Sequence, residues 1–324
     1  MKYCDVCGTL NSSKNDYCTH CGCDFSFANV CPFCNYFNDL DSVYCEGCNE
    51  RIHPVVINSF DDFFNEHNLS LIVNPDFSSD DYYMILDKIF KKLDYLDFEG
   101  LPLKNKIIQI ANSFTMVVTK SSGVSMGEFG VDIIFYDDRL DDSLQISTII
   151  HELAHFLLFD IVVNILCCVF EINSSSVLKS FVEYVLTLPE MEVINEFCAH
   201  TVQNRFIPHQ YQSFGSFNAC VNNLNLGSDD IEDYMLLGNS FAGDIIDYLQ
   251  KYIDETLRES IKLQFKIDNV PANDLVYNDF NGCLDVDVKI KYIVGVFASF
   301  FDVFLNNEEA REEELMNIKL GFEN

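Results

Sequence analysis

The stretch Gln145 to Phe159, QISTIIHELAHFLLF, sets the tightest limit on what this chain can fold into. Ile146, Ile149, Ile150, Leu153, Phe156 and Leu157 surround it with apolar side chains, the pattern of a helix buried in a core. His151, Glu152 and His155 lie within it, and ionisable groups in such a helix are costly unless something compensates them. On a helix, His151 and His155 share one face and can reach a single ion, while Glu152 can reach a water beside it. The His-Glu-x-x-His pattern therefore predicts a metal held by a buried helix. Two satisfied core histidines are the bland alternative; with only seven histidines in the chain, such a placement by chance is rare.

A second metal pattern fills residues 1–50. Cys4-x2-Cys7 and Cys18-x2-Cys21 recur as Cys31-x2-Cys34 and Cys45-x2-Cys48, all four offset by 27 positions. Asn11 with Asn38 and Tyr17 with Tyr44 keep the same offset. Two such knuckles present four thiolates to one tetrahedral ion, so each copy predicts one structural zinc. The segment resembles the double zinc ribbon family. A redox reading of these pairs lacks the expected βαβ context. Cys23 has no counterpart, because Glu50 stands at the equivalent position. With few aliphatics, a piece of this size needs its metal to fold.

Charge narrows the partners. The 51 acidic residues outnumber 20 basic ones for a net charge of -31, which repels nucleic-acid phosphates and anionic membranes. Neutral or basic protein or peptide partners are expected instead, and the ribbons, with Lys2, Lys14 and Arg51 against seven acids, are expected to bind protein. MKYCDVCGTL has no apolar leader region, and the remaining cysteines (Cys167, Cys168, Cys198, Cys220, Cys283) read as buried thiols, so a reducing cytoplasm is expected. The apolar run Phe156 to Phe170 is short for a membrane span and is broken by Asp160 and Asn164, so it reads as a buried continuation of the helix. Ile290 to Leu305 receives the same reading.

Periodicity orders the rest. A linker covers 51–79, within which His53 beside Pro54 reads as solvated; helices follow over 80–98 and 103–112 and a strand over 115–119. A loop spans Lys120 to Gly127, and a strand over 130–136 leads through an acidic turn into the His-Glu-x-x-His helix, with Asp141, Asp142 or Ser143 as its cap. Helices are expected over 177–188, ending near Pro189, and over 190–206, closed by Pro208. Beyond Asp229 they are expected over 231–237, 243–266 and 287–306, ahead of an acidic tail.

Strand, acidic turn and His-Glu-x-x-His helix resemble the order in zincin metallopeptidases. In that family the strand before the active helix usually lies at the sheet edge and binds an extended peptide, which here implies Val131 to Tyr136. Three protein ligands and one open position make a catalytic zinc site. The segment Asn195-Glu-Phe-Cys-Ala-His200 is similar to the third-ligand helix of gluzincins, and Glu196 to Pro208 loosely resembles that of ImmA/IrrE-type minimal metallopeptidases. The resemblance implies Glu196 as third ligand; His200, Asp160, Glu171 and Glu183 remain alternatives. His200 stands where many gluzincins carry an acid, and it could be a ligand, a partner of Glu196 or an oxyanion donor, as could His209 and Tyr211.

The fold class expected is α+β: a double zinc ribbon (1–50), a linker (51–79), a mostly helical zincin-like domain with a small sheet (80–225) and a helical C-terminal part (226–324). The function expected is zinc-dependent peptide hydrolysis, with two structural zincs and one catalytic zinc on His151, His155 and Glu196, and with Glu152 as general base. A non-catalytic zinc-dependent adaptor is the alternative.

Overall fold

A computed structural model of the chain describes residues 77–120, 127–130, 133–169, 173–174, 176–224, 228–272 and 283–306, with four two-residue strands near the start. The chain divides into two compact units, Met1–Val56 with Glu171–Asn173, and Ile57–Phe170 with Ser174–Asn324. In the first, β1 (Lys2–Tyr3) pairs antiparallel with β2 (Leu10–Asn11), and β3 (Asn29–Val30) pairs likewise with β4 (Phe37–Asn38). The two hairpins repeat at the 27-residue offset of the cysteine pairs. The eight cysteines, and residues 51–76 of the linker, lie outside the described residues, while its last residues cap and begin the next helix.

The described part of the second unit is mostly helical with one small sheet, an α+β arrangement. Helix α1 (Ser79–Phe90) starts at a capping box: the Ser78 hydroxyl accepts from the Asp81 N–H, and the Asp81 carboxylate accepts from the Ser78 N–H. It tightens into a 3-10 turn over Lys91–Tyr95, so the α-helix is shorter than the periodicity suggests. Helix α2 (Leu103–Asn112) leads into β5 (Met116–Thr119).

β7 (Ile133–Tyr136) pairs parallel with β5 and antiparallel with β6 (Gly127–Gly130), giving the order β5-β7-β6. This corrects one expectation. The strand before the His-Glu-x-x-His helix is central, and among the described strands the edge beside it belongs to β6. The sequence GEFG has two glycines and few strand formers, so its propensity hides a strand that tertiary pairing with β7 creates.

Helix α3 (Asp142–Val169) runs through the middle of the unit. It packs against α1, α2, β6 and β7, and against the later helices α4 (Ser176–Leu186), α5 (Pro189–Phe206), α7 (Ser228–Leu249), α8 (Glu255–Ile267) and α9 (Val286–Asn306), while α6 (Gly215–Asn223) packs on α5. Being surrounded explains why it is apolar all round. It is long and apolar enough to cross a membrane, and 78% of its most apolar window is buried within the fold. Its N-terminus is met from a distance: the Asp268 carboxylate, just past α8, accepts from the Ser143 N–H at 2.9 Å. The nearer Asp142 instead pairs with Lys104 at 2.7 Å.

α7 is one helix where the sequence suggests two. Gly238 lies inside it because α7 crosses α5 there so closely that a Cβ would sit 2.8 Å from the Ile194 carbonyl oxygen. α8 begins at Asp254, whose side chain accepts from the Leu257 N–H. α9 is anchored through the buried Lys289, which pairs with Asp244 of α7 beneath the Tyr82 ring of α1. The 226–324 helices thus pack in the same unit as the helix bearing His151 and His155.

Candidate metal centre

One turn of α3 separates His151 from His155, and both turn toward α5, where Glu196 stands. The two Nε2 atoms lie 3.1 Å apart, and Glu196 offers Oε2 to His151 and Oε1 to His155, each at 3.6 Å. Ligand atoms at about 2.0–2.1 Å from a tetrahedral zinc stand about 3.3–3.4 Å from one another. The 3.1 Å between the imidazoles and the 3.6 Å approaches, one to each Glu196 oxygen, lie near that spacing, so the imidazoles and the carboxylate stand close enough to share one ion.

The surroundings hold His155 and Glu196 in the state a cation requires, while His151 would have to give up a proton to bind one. The Asn195 carbonyl oxygen takes the His155 Nδ1–H at 2.8 Å, which leaves the Nε2 lone pair facing inward. Burial, reinforced by His151, pushes the His155 imidazole down to about 4. Burial would raise the Glu196 carboxyl, but its hydrogen bond to His151 and the neighbouring imidazoles hold it well below the usual carboxylate range. Burial likewise opposes protonation of His151, yet Glu196 and the charge of Glu152 leave that ring raised. An ionised carboxylate among inward-facing imidazoles is chemically suited to a divalent cation.

His200 supplies a second grouping. One turn beyond Glu196, its Nε2 lies 3.9 Å from Glu196 Oε2, and His151, Glu196 and His200 have donor atoms within 4.8 Å of one another. The Gln203 amide donates to the Ser147 hydroxyl of α3 at 2.7 Å, so its oxygen faces His200 Nδ1 at 3.2 Å and takes that N–H. His200 Nε2 then points back toward the cluster, 2.7 Å from the Ser216 hydroxyl, which itself donates to Glu196. Burial and the charge of His151 push His200 down to about 3. Two triads thus share His151 and Glu196, one closed by His155 and the other by His200. His151, Glu196 and His200 form the grouping able to hold one ion, and His155 adjoins it, closer to Glu196 than His200 is and with its ring oriented by Asn195.

Glu152 is buried against β6, near enough to His151 for its charge to act on that ring. Of the alternative ligands, Asp160 is engaged by Lys92 at 3.7 Å and by Asn164, Glu183 lies on α4, and Glu171 is outside the described residues. Tyr211 stacks on Phe265 at 4.6 Å, and His209 is exposed on the same 3-10 turn. Asn195, Gln203, Ser216 and Gly127 take part without having been singled out by the sequence. Asn195 directly precedes Glu196, and a polar residue there on a buried helix was the one available signal.

No family model matches this chain, and neither a curated protein nor a solved structure is similar to it. The fold and the cluster together define an α+β unit with a partly buried histidine–glutamate cluster that could hold a metal ion.

Proposed function

We propose that this chain is a zinc-dependent peptidase whose centre is His151, His155 and Glu196, with Glu152 as general base. The observation that carries the reading is the convergence of two imidazole nitrogens from α3 and a carboxylate from α5, with a second carboxylate adjoining. A zinc ion held by these three would supply Lewis acidity toward a water and a scissile carbonyl. The chain's own residues do the rest. Glu152 takes the proton of the attacking water and hands it to the leaving amine. Asn195 and Ser216 keep His155 and Glu196 aimed inward. His200, beside the cluster, donates to the developing oxyanion in the tautomer that carries its proton on Nε2, reached by giving up the Nδ1–H bond to Gln203.

The correction to the sheet relocates the expected peptide track. β6, not Val131 to Tyr136, offers the edge on the side of α3, and an extended substrate would add to it by main-chain hydrogen bonds. The acidic chain favours neutral or basic peptides, and the cysteine-rich repeats would recruit the protein partner from a reducing cytoplasm.

A second reading is favoured by His200. Were it to join the other three donors, the ion would have four protein ligands and no open position, the form of a structural site. That suits the adaptor alternative. Zinc per chain, measured without added metal or chelator, separates these cases when combined with turnover. The peptidase reading expects three zincs in the wild type and two in His151→Ala. It also expects Glu152→Gln to retain all three while losing nearly all peptide hydrolysis. Wild-type hydrolysis by Glu152→Gln would sink it, and a full zinc complement with silent wild-type protein toward its own partner would favour the adaptor.

A further inference from the structure

Gly127 begins β6, directly across from Thr148 and Glu152, which stand one turn apart on α3. Its φ is not in the left-handed region; among the described glycines only Gly100 adopts that conformation, at 72°. What this position demands is space. A Cβ here would lie 2.5 Å from Glu152 Oε1 and 2.8 Å from its Cγ, and would also strike the Thr148 methyl. The backbone of the edge strand is therefore a wall of the pocket that holds the Glu152 carboxylate.

We propose that Gly127 is a positioning residue for Glu152, its bare backbone letting the carboxylate stand between the sheet edge and the imidazole cluster. The catalytic part of this inference rests on the peptidase reading; the steric part does not. Ordinary contact begins near 3.4 Å, so an alanine forces Glu152 Oε1 to retreat by roughly 1 Å, a misplacement that can cost about a hundredfold in rate. Thr148 cannot yield in its place, because it projects from the most buried helix of the unit.

The test is a pair of mutant cycles on the full-length zinc-loaded chain. For turnover, Gly127→Ala is compared in the wild-type and Glu152→Gln backgrounds. The expected result is a 10- to 100-fold loss of kcat with zinc content and KM kept in the first, and less than about a twofold further loss in the second, where no base remains to misplace. Wild-type kcat in Gly127→Ala, or an equal fractional loss in both backgrounds, overturns the proposal. For stability, Gly127→Ala is compared in the wild-type and Glu152→Ala backgrounds by Tm. A smaller drop in the latter supports the contact, and an equal drop overturns it. If no peptide is hydrolysed by the wild type, the peptidase reading fails alone, and the Tm cycle still decides the contact. Should Gly127→Ala not fold, the cycles are run in Thr148→Ser, which removes the obstructing methyl and leaves Glu152 as the obstacle.

Discussion

Replacing Asp268 by alanine tests whether the His-Glu-x-x-His helix is fixed from across the fold. In the structure the Asp268 carboxylate accepts from the Ser143 N–H at 2.9 Å, and its other oxygen accepts from the Gln264 amide at 2.8 Å. Ser143 is fully buried, so alanine leaves its N–H without a partner in the first turn of α3. A charge-assisted hydrogen bond contributes about 1.5–3 kcal/mol, and a carboxylate at a helix N-terminus about 0.3–1 kcal/mol; the two overlap here. Partial exposure of Asp268 screens the charge, which places the expected loss near 2 kcal/mol. For a unit of this size that is a fall of about 4–8 °C in Tm. Asp268→Asn keeps an acceptor without the charge and should lose about half as much.

The pH dependence supplies a sharper check. Burial would raise the Asp268 carboxyl, but its bonds to Ser143 and Gln264 lower it below its usual value. A carboxyl depressed in the folded state stabilises above its unfolded pKa, near 3.9, and that stabilisation is lost as pH falls through the folded value. The gap between wild type and Asp268→Asn should therefore be constant from pH 5 to 8 and close as pH falls through the lowered folded value. Urea unfolding followed by helical circular dichroism at both ends of that range measures it. An Asp268→Ala protein within about 0.5 kcal/mol of wild type, or a gap that persists in acid, would refute the capping argument.

Asn195→Leu removes the acceptor that fixes the His155 ring, and zinc affinity measured against a competing chelator should drop about 10- to 100-fold; unchanged affinity would mean Asn195 has no part in the centre. Two glycines of α7 should respond in opposite directions. Gly238→Ala drives a Cβ toward the Ile194 carbonyl and should cost about 1–3 kcal/mol, whereas Gly243→Ala, with nothing within 4 Å, should stabilise by about 0.5–1 kcal/mol. Melting temperatures that moved the same way in both would contradict the close crossing of α5 and α7.

The sequence by itself determined the features that depend on local period. Four-residue spacing put His151 and His155 on one face of a helix whose surroundings are apolar, and the 27-residue repeat was legible in the cysteine pairs, with the hairpins found to recur at the same offset. Helix α2 was legible from its apolar face, and α5 from its period and its closing proline. The tertiary structure decided which groups meet. The carboxylate beside the imidazoles comes from Glu196, some forty residues away, and Asn195 and Ser216 orient the cluster only because α5 and the helix from Gly215 to Asn223 pack there. Which strand takes the edge, and which aspartate meets α3, are also choices between distant segments: GEFG becomes a strand by pairing with β7, and Asp268 meets the Ser143 N–H while Asp142 pairs with Lys104. Gly127 and Gly238 read as loop and helix break for the same reason. Local propensity penalises glycine in either element, and only the close approach of a second element, invisible to any local window, makes the missing side chain necessary.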